Sequence, residues 1–189
     1  MDVFDVLSDL DSLRLGDARL DARARSIIGR LSSSPSAPLP ELFPDESELT
    51  AVYRMAKRPH VSELGLLRPH VEATVARCAA VGEVLVLHDT TEFEFAAGGG
   101  RVTREHLSLL SGRRQGFYTH VSLAVSDGPL SVPLGVLHLQ PYVHRSQVGD
   151  ANAAWWEERG GLFENEHDRW PEACLLTDDL ASSEGLSLI

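Results

Sequence analysis

The spacing of hydrophobic and polar positions changes once along the chain, near Gly82. Before it, apolar residues recur at helical spacing. Leu20, Ala24, Ile27 and Leu31 are separated by four, three and four residues, which builds one apolar stripe and predicts a helix over 9–31. The serine- and proline-rich stretch 32–40 cannot continue that helix and reads as a connector. Leu49, Val52, Tyr53 and Ala56 then define a second helix over 45–57, with Asp45 or Ser47 available as its N-cap and Pro59 ending it. A third helical stretch over 61–80 sets Leu64, Leu67, Val71, Val75 and Cys78 on one face, with Pro69 tolerated near a helix start or at a kink.

After Gly82 the pattern becomes that of strands. Val84-Leu85-Val86-Leu87 is continuous, as in a strand buried on both faces, and it gives way to His88-Asp89-Thr90-Thr91-Glu92. Residues 117–125 alternate, Ser126-Asp127-Gly128-Pro129 signals a turn, and 132–140 is a further apolar run with Pro133 near its start, so an antiparallel hairpin is expected. Residues 145–167 are polar and poor in pattern, with Trp155 and Trp156 read as packing residues. A helix is expected over 168–180, with Asp168 as N-cap and Pro171 in its first turn. Gly185-Leu186-Ser187-Leu188-Ile189 looks like the start of another buried strand. These elements predict an α+β chain with a small helical domain over 1–80 and a sheet domain over 81–189.

Composition narrows the function classes. The 189 residues are 43% hydrophobic, enough to build a real core. Formal net charge is −11, from 28 acidic against 17 basic residues, so a nucleic-acid role must rest on a local basic face. Such a face exists. Between Ser12 and Arg30 there are five arginines against two aspartates, and Arg19, Arg23 and Arg30 fall within roughly 40° of one another on an ideal helix. That stripe could track a phosphate backbone, and it also reads as an ordinary solvated helix face. Cys78 and Cys174 lie far apart without CxxC spacing, so neither a disulfide framework nor a zinc module is indicated. No signal-peptide pattern or membrane-length apolar run is present, and a soluble cytoplasmic protein is expected.

Asp89 is the first candidate for chemistry. A carboxylate at the tip of a buried strand suits metals or phosphates, with Glu92 behind it; a turn whose side chains bond their own backbone is the other reading. His88, His120 and His138 read as hydrogen-bonded structural residues, although His88 beside Asp89 leaves a metal role open. Gly98-Gly99-Gly100 has neither GxGxxG nor P-loop spacing, so it marks no nucleotide site.

The order strand, hairpin, helix, incipient strand fits the opening of a ribonuclease-H-like sheet, which periodicity alone leaves as one topology among several. The residues resemble more specifically the N-terminal part of bacterial cut-and-paste DDE transposases of the insertion-sequence-four group. The resemblance rests on Leu15-Gly16-Asp17-Ala18-Arg19, Leu49-Thr50-Ala51-Val52-Tyr53-Arg54, Arg68-Pro69-His70, His88-Asp89-Thr90-Thr91-Glu92-Phe93, the segment 116–125, and Pro133-Leu134-Gly135-Val136-Leu137. It implies a helical domain that binds the inverted-repeat ends of the transposon as double-stranded DNA, through Arg19, Arg23, Arg30, Tyr53 and Arg54. It also implies that Asp89 is the first catalytic and metal-binding acid of a two-ion magnesium or manganese site. The family's second acid follows an apolar strand whose start matches Leu186-Ser187-Leu188-Ile189, and the third lies later still. Asp178 and Asp179 are poor substitutes. The expectation is therefore a truncated ribonuclease-H-like domain that binds DNA ends, is inactive in strand transfer alone, and could form a mixed dimer with a full-length transposase. The first open frame of an interrupted but complete transposase, and an acidic protein-interaction module without a DNA role, are the alternatives.

Overall fold

A computed structural model of the chain describes residues 6–58, 61–95, 107–110, 115–184 and 187–188. Pro59, the Gly98–Gly100 run, Gly185, Leu186 and Ile189 lie outside them. The contacts divide the chain into two units, Met1–Ala73 and Thr74–Ile189. A helical first unit precedes a mixed sheet, which is an α+β arrangement.

In the first unit, α1 (Val6–Asp9) runs into a 3-10 turn at Leu10–Ser12, followed by α2 (Ala18–Ser33), α3 (Leu39–Leu42), α4 (Glu46–Ala56) and the start of α5 (Glu63–Val81). The single helix expected over 9–31 is interrupted. Leu13 leaves the helical region, Gly16 takes φ +87°, and the Asp17 carboxylate caps α2 by accepting from the Arg19 amide at 2.8 Å. Glycine adopts that φ without a Cβ penalty, and aspartate satisfies an amide the helix leaves open. The break lets Leu10, Leu13 and Leu15 turn inward beside Leu20, Ala24 and Ile27 of α2, Phe43, and Val52 and Met55 of α4, forming one apolar core. Leu13 and Ala24 are fully buried. The start of α4 is as expected, since Asp45 accepts from the amides of Ser47 and Glu48 at 2.9 and 3.0 Å. On α5 the expected stripe is incomplete: Val75 and Cys78 are buried, whereas Leu64 is exposed.

The second unit holds β1 (Glu83–Phe95), β2 (Ser108–Leu109), β3 (Gln115–Ser126), β4 (Pro133–His144), α6 (Asp150–Glu157), β5 (Leu162–Phe163), α7 (Glu166–Glu184) and β6 (Ser187–Leu188). Among the described residues the strands form one mixed sheet in the order β5-β4-β3-β1-β6, with β2 paired to β3. β1, β3 and β4 are antiparallel neighbours, and β6 lies parallel to the start of β1, with Glu83 opposite Ser187 and Val84 opposite Leu188. The predicted hairpin is β3–β4, closed by the Ser126 amide on the Val132 carbonyl at 2.9 Å.

Two expectations need correction. β1 does not stop at Asp89. It continues to Phe95 because β3 offers a partner along its whole length, from Val84 opposite Ser126 to Phe95 opposite Gln115. The turn reading of Asp89-Thr90 falls with this, as does burial on both faces, since Leu87 is half exposed. α7 starts before Asp168. The Asp168 carboxylate sits in the first turn and accepts from the Asn165 amide at 3.2 Å, so it caps from inside the helix in the manner of a capping box. The pattern-poor segment 145–167 contains α6 and β5, and Trp156 is buried against Phe117.

No helix among the described residues is long and apolar enough to cross a membrane. Gly116 leaves no room for a side chain in the β1–β3 ladder: a Cβ there would collide with the Phe93 carbonyl and the Leu110 side chain. Gly116→Ala is expected to destabilise the second unit by about 1–3 kcal/mol or more, the cost of overpacking. Urea unfolding followed by tryptophan fluorescence measures it, and an unchanged midpoint would show that this close approach is dispensable.

Candidate nucleic-acid interface and the Asp89 strand

The interface is built by what the first unit buries. Leu20, Ala24 and Ile27 turn one side of α2 inward, so the stripe Arg19, Arg23, Ser26, Arg30, spaced four, three and four, faces elsewhere. Arg19 and Arg23 are exposed and form no ion pair with a described residue. On α4, Tyr53 is half exposed and Arg54 is exposed. Arg54 follows Ala51 by three residues, and Ala51 lines a groove of about 250 Å³ together with Arg23, Ser26, Arg30, Phe43 and Ser47. Tyr53 is set about 100° round the helix from Arg54, so the two do not share a stripe.

Arg30 differs from the other candidates. Its guanidinium forks onto the Glu48 carboxylate at 2.9 and 3.1 Å, donates to the Leu42 carbonyl at 3.1 Å, and lies 4.7 Å over the Phe43 ring. The Glu48 hydrogen bonds raise its pKa above the ordinary value, with partial burial opposing. Two further arginines of the basic run are also engaged. Arg25 pairs with Asp11 at 3.3 Å, and Arg14 donates to the carbonyls of Asp11 and Leu13. Of the basic run seen in the sequence, Arg19 and Arg23 thus remain without a side-chain partner among the described residues. Sequence reasoning missed Glu48 because its partner lies 18 residues away across a proline-containing connector.

In the second unit, strand alternation separates Asp89 from its sequence neighbours. Asp89 is exposed, and its Oδ1 accepts from the Thr90 amide at 2.7 Å. His88 and Thr90 project to the opposite face, where α7 lies. Thr90 Oγ1 accepts from Arg169 at 2.9 Å and is 3.3 Å from His120 Nδ1. His88 Nδ1 bonds Ser122 Oγ at 3.0 Å, and its Nε2 is 3.8 Å from Cys174 Sγ. The rings of His88 and His120 stack at 5.6 Å, Trp170 meets His120 edge-on, and Arg169 lies 4.1 Å over Tyr142. His88 and His120 thus lie in a polar layer, while His120 Nε2 and His138 Nδ1 are buried without a hydrogen-bond partner among the described residues. Glu92, the second candidate, has the parity of Thr90, so it and Asp89 project to opposite faces of β1.

This geometry tests the implied magnesium or manganese ions. Among the described residues, no group of three or more His, Cys, Asp or Glu side chains converges to hold a metal. Asp89 offers one exposed carboxylate with one oxygen already bonded to the Thr90 amide, and His88 points away from it. Divalent oxygen-ligand sites take several donors, so this set alone does not fit a two-ion centre.

Residues 6–61 match the family described as transposase DNA-binding. The match takes in α1 to α4 and all five candidate contacts, Arg19, Arg23, Arg30, Tyr53 and Arg54, and it supports a transposase N-terminus with DNA as the partner. No curated protein matches the chain.

The histidine layer carries a pH prediction. Burial, then the charge of Arg169 and the neighbouring His88 and His138, lower the His120 pKa from 6.5 to about 4, against a small opposing effect of Asp89. His88 and His138 are lowered in the same direction, chiefly by burial. Between pH 6.5 and 4 the unfolded chain takes protons that the folded one refuses, so stability is full above about 6.5 and falls as pH drops towards 4. His120 alone accounts for a loss on the order of 3 kcal/mol. Urea unfolding across this range should show that decline and a shallower one in His120→Gln. Equal slopes in the two proteins would show that His120 is not the titrating group.

Proposed function

We propose that this chain is the N-terminal part of a cut-and-paste DDE transposase of the insertion-sequence-four group, and that its first unit binds the inverted-repeat ends of the transposon. The observation that carries this is the pair of exposed arginines, Arg19 and Arg23, standing on α2 without ion pairs to described residues, with Arg23 lining the groove between α2 and α4, inside the residues matched to a transposase DNA-binding family. An exposed side chain left uncommitted in an acidic protein is ready to meet phosphate without first breaking an internal bond. Tyr53 extends the contact surface, and Arg30 enters it only by leaving Glu48.

The second unit is read as the opening of a ribonuclease-H-like domain. Its support is topological: three antiparallel strands in the order β4-β3-β1, then a helix, then β6 returning parallel beside β1. Asp89 lies on β1, exposed on the face away from α7, and is proposed as the first of three metal-binding acids. Asp89 would hold magnesium or manganese only together with further carboxylates, and such ions would supply charge stabilisation for phosphoryl transfer. The 189 residues by themselves are therefore expected to bind ends without cutting them, and a mixed complex with a full-length transposase would occupy ends unproductively.

Charge reversal tests the interface. Arg19→Glu with Arg23→Glu should abolish duplex binding at moderate salt. Neutralising the two in a milder Gln pair should lower the slope of log affinity against log salt by about 1.8, at about 0.9 per phosphate contact. Circular dichroism checks that α2 persists. A folded double-Glu variant that binds duplex DNA as the parent does would overturn the assignment.

A further inference from the structure

Arg30 is the one cation of the α2 stripe that the fold has already occupied, and the manner of its occupation is informative. Two nitrogens of its guanidinium meet two oxygens of one carboxylate at 2.9 and 3.1 Å. That parallel fork is the geometry in which arginine also takes two oxygens of a phosphate. We propose that the groove between α2 and α4 seats one DNA backbone phosphate on Arg23 and Arg30, and that Glu48 is an internal stand-in for that phosphate which the DNA displaces. The proposal rests on the reading of the first unit as a duplex-binding domain and adds a gate to that site.

Four features support the exchange. The side chains of Arg30 and Glu48 are 38% and 48% exposed, so their bond is weak and reversible in water. Arg30 keeps its place without Glu48, because the Leu42 carbonyl and the face of Phe43 hold the guanidinium independently. Arg23 lines the same groove and has no carboxylate partner among the described residues, so an entering phosphate meets two cations. The groove, at about 250 Å³, exceeds the share of several water molecules at about 30 Å³ each, which is room for a tetrahedral anion. A carboxylate seated there in the absence of DNA lowers affinity for any duplex and leaves selection to the contacts around the groove.

The test measures binding of a short labelled duplex of arbitrary sequence between about 50 and 200 mM salt. Glu48→Gln should tighten binding about two- to fivefold, the worth of an exposed ion pair no longer broken. Glu46→Gln, which removes a charge from the same turn, should do less. Arg30→Gln should weaken binding and lower the salt slope by about one. Should Arg30→Gln fail to fold, the guanidinium proton signals of Arg30 in the unsubstituted protein decide the matter, since they should shift when duplex is added. Weakening by both Glu48→Gln and Arg30→Gln would mean that the pair is only a splint between the helices, and would overturn the proposal. So would a Glu48→Gln gain no larger than that of Glu46→Gln, or Arg30 signals unmoved by bound DNA. If the unsubstituted protein binds no duplex at all, the DNA reading of the first unit fails and the phosphate seat fails with it. Duplex binding with an unresponsive Arg30 overturns the seat alone.

Discussion

Burial of Leu20, Ala24 and Ile27 against Val52, Met55 and Leu13 is the constraint on which the first unit depends. An α-helix has one angular period, so fixing its apolar side fixes where every other side chain points. Once those three residues of α2 face the core, Arg19, Arg23 and Arg30 share one direction, about 90° round the helix from it. Position along that stripe then divides their roles. Arg30, at the end that meets α4 near its capped start, finds Glu48, the Leu42 carbonyl and Phe43 within reach. Arg19 and Arg23 meet no carboxylate among the described residues and remain available to a ligand. An acidic protein thereby presents a small cationic face without any excess of basic residues.

A two-residue period plays the same part in the second unit. Pairing with β3 along all of β1 sends His88 and Thr90 towards α7 and Asp89 to the other side. The layer under α7 is polar for a helix–sheet contact, and its cost is offset in part by hydrogen bonds, Thr90 with Arg169 and His120, and His88 with Ser122, while His120 Nε2 is buried without a hydrogen-bond partner among the described residues. These bonds hold β1 from behind while the Thr90 amide fixes one oxygen of Asp89 from beside it. The carboxylate is exposed on that face, with Oδ1 bonded to the Thr90 amide.

Local features were legible in the sequence to the extent that their causes are local. The start of α4 follows from Asp45, the β3–β4 hairpin from Asp127-Gly128-Pro129, and β6 from Leu186-Ser187-Leu188. The break at Gly16-Asp17 was also written locally, as a glycine followed by a capping residue, but the apolar stripe running past it suggested one longer helix. β1 was misjudged for the opposite reason. Its polar second half is stabilised by a strand more than 20 residues further on, and nothing in Thr90-Thr91-Glu92-Phe93 announces that partner. The same distance hid the Arg30–Glu48 fork and the stacking of His88 on His120, since residue types give no register between elements far apart in the chain.

The most direct measurement is a competition between a duplex carrying the transposon's inverted-repeat end and a random duplex of equal length, with the 189-residue protein at moderate salt and no divalent metal. Preference for the end, retained without magnesium and declining steeply as salt rises, is the result expected of a helical end-binding unit that acts through phosphate contacts. Equal affinity for both duplexes, or binding that requires the metal, would contradict it.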